Sequence, residues 1–420
     1  MIVGFLGMTH LGINYAIASA EKGFNVVCFD FDKKKIDNLK KNKTFFFEPG
    51  LSFLLKKNKK KILFTDNIKD INQCKLVFLS QDVPTNSKNE SNLSFVEKLI
   101  KKSIPFLDKK ACFVILSQVH PGFTRGINWE KNKLYYQVET LVFGNALNRI
   151  FKAERIIIGS FSTSKNINKY YRNFLRKFNC PLVHLNYESA ELAKISINMF
   201  LITQVCTANL LASICEKIGA DWQSIIPALM LDRRIGLHAY INPGLGLSGG
   251  NLERDLKTLI SLNKTHCVKD KMLKSILYNS NVNKNWVIKK ISTIKINKKK
   301  DAIAILGLAY KENTSSIKNS PSLSLINKLR DYKLFVYDSK IKQTDIKKLN
   351  IAFRQSINEI LENAEILIIM NRSTEFKKIT LNLLKKKFKG NHIFDPMGVL
   401  MHLNLKKSGY NYHVIGRFEN

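Results

Sequence analysis

No two cysteines of this chain form a Cys-x-x-Cys pair. Cys28, Cys74, Cys112, Cys180, Cys206, Cys215 and Cys267 are scattered. That spacing excludes a zinc ribbon and fits reduced thiols in the cytoplasm. Acidic residues are also scarce: 33 Asp plus Glu stand against 68 Lys plus Arg, for a formal net charge of +35. The excess is lysine spread along the chain, without a basic run interleaved with aromatics. A stacking platform for nucleic acid is therefore not expected, whereas the positive field favours a small anionic substrate. Long apolar runs are missing too. The longest uncharged stretch, Ile195 to Cys215, carries Asn198, Thr203, Gln204, Thr207 and Asn209. It reads as a buried helix of a soluble protein rather than a membrane span. Met1-Ile-Val-Gly-Phe-Leu-Gly7 has no basic region ahead of its apolar residues, so no secretory leader is expected there.

What is present is ample material for cores, since 45% of the 420 residues are apolar. Ile2-Val-Gly-Phe-Leu6 reads as a short strand, Gly7 to Gly12 as a turn, and Ile13 to Lys22 as a helix that Gly23 ends. A second strand, Asn25 to Phe29, closes on Asp30. This is a βαβ unit of the kind that binds a dinucleotide. More apolar strands follow at Leu76–Leu79, Cys112–Leu116 and Arg155–Gly159. From Glu188 the pattern becomes one long helix, with further helix to about Ile294. After the lysines at 298–300 the strand–helix rhythm restarts at Ala302, Leu334, Ile366 and His392. The expected class is α/β: two Rossmann-like, doubly wound parallel-sheet domains joined by a long central helix. The expected boundaries are 1–186, 187–296 and 297–420.

A dinucleotide turn wants Gly-x-Gly-x-x-Gly. Gly7 and Gly12 are present, but Thr9 holds the middle position. Asp30 suits the two ribose hydroxyls of NAD and would repel the 2′-phosphate of NADP, so NAD is the expected cofactor. His10 reads as a packing or surface residue.

Several separated segments resemble the UDP-glucose/GDP-mannose dehydrogenase family. They are Glu48-Pro-Gly-Leu51, Val83-Pro-Thr85 with Asn92-Leu-Ser-Phe-Val96, and Ser117-Gln-Val-His-Pro-Gly122. Ala190-Glu-Leu-Ala-Lys-Ile-Ser-Ile-Asn198, Arg234-Ile-Gly236, Pro243-Gly244 and Gly307-Leu-Ala-Tyr-Lys311 to Pro321 complete the set. The resemblance implies a four-electron oxidation of a nucleotide sugar, C6 alcohol to carboxylate, with two NAD per turnover. It also implies an N-terminal NAD domain, a C-terminal nucleotide domain and a central helix that dimerises. The expected cofactor set is Gly7, Thr9, Gly12, Asp30 and Lys35, joined by Pro84, Thr85 and Gln118.

Lys194 and Asn198 stand at i and i+4, on one face of a helix, where an ammonium and an amide can hold an oxygen that gains charge as hydride leaves. In the family this pair does that work. Glu139 follows Gln137-Val where the family has Asn-Pro-Glu, and a carboxylate there can take a proton directly or through water. Beyond it, Val142 and Phe143 stand where the family has an Arg and a second Glu. Asp255 matches the family aspartate that closes the glycine loop, with an expected role in orienting water or pairing with Lys194. Arg254 keeps the charge of the family lysine. Arg234 is expected at the substrate diphosphate, with an arrangement across a dimer as one option, and Lys311 on the nucleotide side. Gly249 and Gly250 belong to the substrate loop. Met397 replaces a family arginine.

The largest departure is in "PGLGLSGGNLERD", residues 243–255. Asn251 falls at the family's nucleophilic cysteine, whose thiolate attacks the intermediate aldehyde. An asparagine amide is no nucleophile at neutral pH. Three readings follow: a two-electron NAD-dependent oxidoreductase on a nucleotide sugar, a UDP-hexose being the expected substrate; the full oxidation through a hydrated aldehyde, without covalent catalysis; or a nucleotide-sugar-binding protein without turnover. A homodimer or higher homo-oligomer is expected, without nucleic acid, membrane or metal.

Overall fold

The computed structural model describes residues 1–86, 90–164, 166–298, 300–346 and 351–418. Lys299, within the expected lysine-rich junction, lies outside the described residues. The chain divides into two compact units, Met1–Ile197 and Asn198–Asn420.

The first unit is built on eight strands: β1 Ile2–Leu6, β2 Asn25–Phe29, β3 Ile62–Thr65, β4 Leu76–Leu79, β5 Cys112–Ile115, β6 Leu134–Gln137, β7 Ile156–Ser160 and β8 Leu182–Asn186. Their order is β3-β2-β1-β4-β5-β6-β7-β8. The sheet reverses direction of growth between β1 and β4, which opens a crevice beyond the strand ends, where α/β proteins bind ligands. The strands there are continuous apolar runs because helices cover both faces: Val3, Phe5, Leu76, Phe78 and Val114 fill one core and Leu6, Val77, Leu79 and Ile115 the other. One pairing departs from the expected parallel sheet. β6 and β7 are antiparallel, with Tyr136 opposite Gly159. The segment between them carries only the short helix Ala146–Phe151, which packs on the first helix of the unit, His10–Glu21. It does not supply the face-covering crossover that a parallel return requires.

The second unit contains a wholly parallel sheet: β9 Ala302–Leu306, β10 Lys333–Tyr337, β11 Ala352–Phe353, β12 Ile366–Ile369, β13 His392–Phe394 and β14 Asn411–His413. Its order, β11-β10-β9-β12-β13-β14, repeats the topology of the first six strands of unit one. The helices Trp222–Leu231, Leu252–Thr265, Lys271–Lys284 and Trp286–Ile291 precede it.

One helix, Tyr187–Ile218, runs from the first unit into the second. Among the described residues it is the one helix long and apolar enough to cross a membrane, by length and composition. Tyr187 and Ala190 belong to a core of the first unit, and Ile202, Cys206, Ala208 and Ala212 to cores of the second. The expectation of a buried helix needs correction, because one face is bare. Phe200 is 73% exposed, and Leu192, Leu210, Ile214 and Ile218 are exposed with it.

Candidate active site

The cofactor turn is assembled by close backbone packing. Gly7 has φ +94, and a Cβ there would stand 2.9 Å from the Gln81 side chain. At Gly12 a Cβ would meet Gly7 O at 2.0 Å. Only glycine fits either position, as a nucleotide turn demands. Asp30 ends β2 with both oxygens engaged. Oδ2 accepts from Met8 N–H at 2.8 Å and from Lys35 Nζ at 2.7 Å, and Oδ1 accepts from Asp32 N–H at 3.0 Å. Lys35 thus reaches the expected ribose-binding carboxylate. The geometry fits NAD: a glycine cradle, the start of a helix and an oriented acid lie together.

Thr9 does not merely tolerate the middle glycine's place. Its Oγ1 donates to Ser80 O at 3.2 Å and accepts from Asp82 N–H at 2.9 Å. Thr85 forms an isolated bridge with Ser91, and its buried Oγ1 has no hydrogen-bond partner among the described residues. Pro84 is exposed, and Gln118 is half-buried just beyond β5.

His10 is buried, which settles the choice between packing and surface. A ring nitrogen lies 2.9 Å from Glu48 Oε2, and the ring packs 4.1 Å from that of Phe143. Glu48 also accepts from Gly144 N–H at 3.0 Å and Ala146 N–H at 2.8 Å. Burial pushes its carboxyl up, but His10 and the two amides outweigh that and hold it below the usual range. The Glu-Pro-Gly-Leu segment thereby fastens the loop after Glu139. The sequence offered no sign of this, because the partners lie far apart in the chain.

Lys194 is buried and stands 3.3 Å from Glu139 Oε1. Leu141 N–H donates to the other Glu139 oxygen at 2.8 Å. Both residues belong to the first unit. Asp255 accepts from Asn198 Nδ2 at 2.5 Å and from Arg254 Nε at 3.0 Å, within the second unit. Asp255 is 2% exposed and Arg254 5%. Asn198 is therefore an oriented amide, as a buried side chain of that kind requires.

The glycine loop is pinned along its length. Gly244 N–H donates to Asn209 Oδ1 at 2.7 Å and Leu247 N–H to Ser280 Oγ at 2.8 Å. Gly249 has φ +74, and a Cβ would stand 2.6 Å from the Tyr310 ring. At Gly250 a Cβ would meet the Lys318 side chain at 3.3 Å. Sequence reasoning missed Lys318, although it lies in the Lys311–Pro321 segment. Burial and the neighbouring Arg254 hold its ammonium below the usual lysine range. Met397 stands where the expected cation is missing, and a Cβ added at Gly244 would lie 3.6 Å from its side chain. Lys311 is half-buried, with its ammonium 5.8 Å from the Tyr310 ring centre. Arg234 is not gathered in: its side chain is 89% exposed and paired with Asp232 at 2.7 Å.

Asn251 is exposed and caps the helix Leu252–Thr265 without a side-chain cap bond. Cys267 lies past the other end of that 14-residue helix, roughly 20 Å away at 1.5 Å per residue. Cys206 is buried among Ile202, Leu247 and Leu256, and burial raises its thiol to about 11. It is a neutral core residue. Among the described residues no group of three or more His, Cys, Asp or Glu could hold a metal ion.

The second unit repeats the acid-and-turn device. Leu308 and Ala309 N–H donate to Asp338 Oδ2, at the end of β10, at 2.8 and 2.9 Å. Gly307 has φ +90 beneath Asn371.

Three models of one family match the chain in order. They are the UDP-glucose/GDP-mannose dehydrogenase family NAD binding domain over residues 1–177, its central domain over 188–284 and its UDP binding domain over 304–402. A UDP-glucose 6-dehydrogenase of Rickettsia bellii is 28% identical, covering 99% of this chain and 99% of the relative. The UDP-glucose 6-dehydrogenase TuaD of Bacillus subtilis is 27% identical over 99% of this chain and 93% of its own. The structure of a UDP-glucose dehydrogenase from Pyrobaculum islandicum superposes with a TM-score of 0.85 at 20% identity, covering 99% and 98% of the two chains. A UDP-D-ManNAc dehydrogenase from Pyrococcus horikoshii gives 0.84 at 22% identity, with 99% of each covered. With its glycine turn and acid at the end of β2, and all three domains in sequence, the chain belongs to the UDP-glucose/GDP-mannose dehydrogenase family, NAD-dependent oxidoreductases of nucleotide sugars.

Proposed function

We propose that the protein oxidises one CH–OH group of a UDP-hexose by a single hydride transfer, yielding a carbonyl compound. The observation that carries this reading is Asn251 at the place of the nucleophile, in a chain that retains Lys194, Asn198 and Asp255. NAD, when bound, accepts the hydride. Lys194 and Asn198 stand one turn apart on one helix and stabilise the oxygen that gains negative charge. Asp255 fixes the Asn198 amide, and Glu139, held by Lys194 and Leu141 N–H, takes the hydroxyl proton directly or through water. Arg234 and Lys311 serve the diphosphate and nucleotide, Arg234 across a dimer. Gly249 and Gly250 let the loop approach the sugar. Pro84, Thr85 and Gln118 complete the cofactor site with Lys35.

In this reading residues 1–186 bind NAD, 187–296 form the helical middle and 297–420 hold the nucleotide. The bare face of the central helix pairs two copies, and the protein works in the cytoplasm. A full oxidation to a uronate without covalent catalysis is the second reading. The names of the curated relatives favour it, because both are UDP-glucose 6-dehydrogenases.

Purified protein incubated with NAD and a panel of UDP-hexoses tests the proposal. Formation of NADH is expected, together with a roughly hundredfold or greater fall in kcat for Lys194→Met. Ligand-induced thermal stabilisation without NADH from any sugar would instead identify a binding protein.

A further inference from the structure

The nucleotide crevice of the first unit lies between the Gly7 turn and the loop that follows β4, and these two lips are tied together. Thr9 supplies one tie through its hydroxyl, to Ser80 O and from Asp82 N–H. Asp82 supplies the other by reaching back: its Oδ2 accepts from Leu11 N–H at 3.3 Å. Leu11 is the second residue of the helix His10–Glu21, and the Thr9 side chain gives that helix no cap bond. The first amides of a helix have no partner within it and carry its positive dipole end. In a Rossmann turn they receive the dinucleotide's pyrophosphate. Asp82 therefore sets an anionic oxygen on a donor that the cofactor's own anionic oxygens need.

The surroundings make that carboxylate unusual. Burial holds it above the ordinary range, Glu139 adds to the push, and His10, the Thr9 hydroxyl and Leu11 N–H oppose it. Among the described residues, His10 and Glu139 are the charged or titratable groups facing it. Glu139 is itself engaged with Lys194, and His10 with Glu48.

We propose that Asp82 is a built-in competitor for the cofactor's pyrophosphate, occupying the Leu11 N–H donor so that NAD binds only as this carboxylate yields it. The inference rests on the reading of NAD as cofactor. It assigns Asp82 to limiting cofactor affinity, apart from the hydride-transfer residues. Thr9 is the positioning residue, because its hydroxyl holds the Asp82 backbone. The repulsion acts on phosphate groups, so it separates dinucleotides from plain nucleosides.

Isothermal titration of the full chain with NAD, ADP-ribose and adenosine tests this in wild type, Asp82→Asn and Thr9→Gly. Asparagine keeps an acceptor for Leu11 N–H and drops the charge. The expected result is about tenfold tighter NAD and ADP-ribose binding by Asp82→Asn, with adenosine unchanged. Thr9→Gly should shift the same way by a smaller factor. Unchanged or weaker NAD binding by a folded Asp82→Asn variant would overturn the proposal. So would an equal gain for adenosine, which would mean a relaxed crevice rather than relieved repulsion. Should that variant not fold, Asp82→Ser answers the same question. If neither wild type nor variants bind NAD or ADP-ribose, the cofactor reading fails and takes this one with it. If wild type binds and the variants bind no tighter, only this inference fails.

Discussion

Asn251 is exposed at the start of a helix, and the nearby acid–amide contact of Asp255 with Asn198 does not depend on it. Identity of the residue at that one position was legible in the sequence, because flanking glycines and Asp255 fix its alignment. Partner choice was not. Lys194 stands against Glu139, His10 against Glu48 and Asp255 against Asn198, and each meeting is decided by through-space packing. Glu48 and Asp82 show this most clearly, since their partners are 38 and 71 residues away. Glu48 also yields a pH prediction. Its carboxyl is held below the ordinary 4.5, so the ionised form is favoured by folding. Its contribution is present above that unfolded value and is lost as pH falls through the lower folded one. Glu48→Gln should cost about 1–3 kcal/mol at pH 7, by urea unfolding, because two backbone amides and the buried His10 lose a charged partner. The difference from wild type should shrink below pH 4.5. A constant difference across that range would show that the charge is not what matters.

Among the elements, those with long apolar runs were read correctly: β1, β2, β4 and β5, and β9, β10, β12 and β13 in the second unit. Those that were not read lack that signal. β8, Leu-Val-His-Leu-Asn, has no fully buried residue, and β11 is two residues long. β6 pairs parallel to β5 but antiparallel to β7, a reversal set by the segment between strands. The glycine loop was legible as a loop, but its ring contact was not. At Gly249 both the positive φ and the Tyr310 ring oppose a side chain. Gly249→Ala should destabilise the second unit by about 1–3 kcal/mol. Gly250→Ala, which meets only the flexible Lys318 chain, should change little. Equal urea midpoints for the two variants would contradict this account of the loop.

At the scale of the whole molecule, composition set the class and the repeated strand rhythm set the two sheets. What composition did not reveal was the bare side of the central helix. Phe200, Leu210, Ile214 and Ile218 form a large exposed apolar surface, which is costly to leave in water. Sedimentation velocity should find wild type as a dimer or larger. Phe200→Asp combined with Leu210→Asp should sediment as a monomer, because burying two carboxylates in an apolar contact is unfavourable. A double variant that sediments as wild type does would place the contact elsewhere.

The central claim is that loss of the thiol stops the reaction after one hydride. The direct measurement is the ratio of NADH formed to sugar product, by absorbance and mass spectrometry, with the best UDP-hexose. One NADH per carbonyl product is expected for the wild type, and a rise toward two, with uronate appearing, for Asn251→Cys. Two NADH and a uronic acid from the wild type would contradict it.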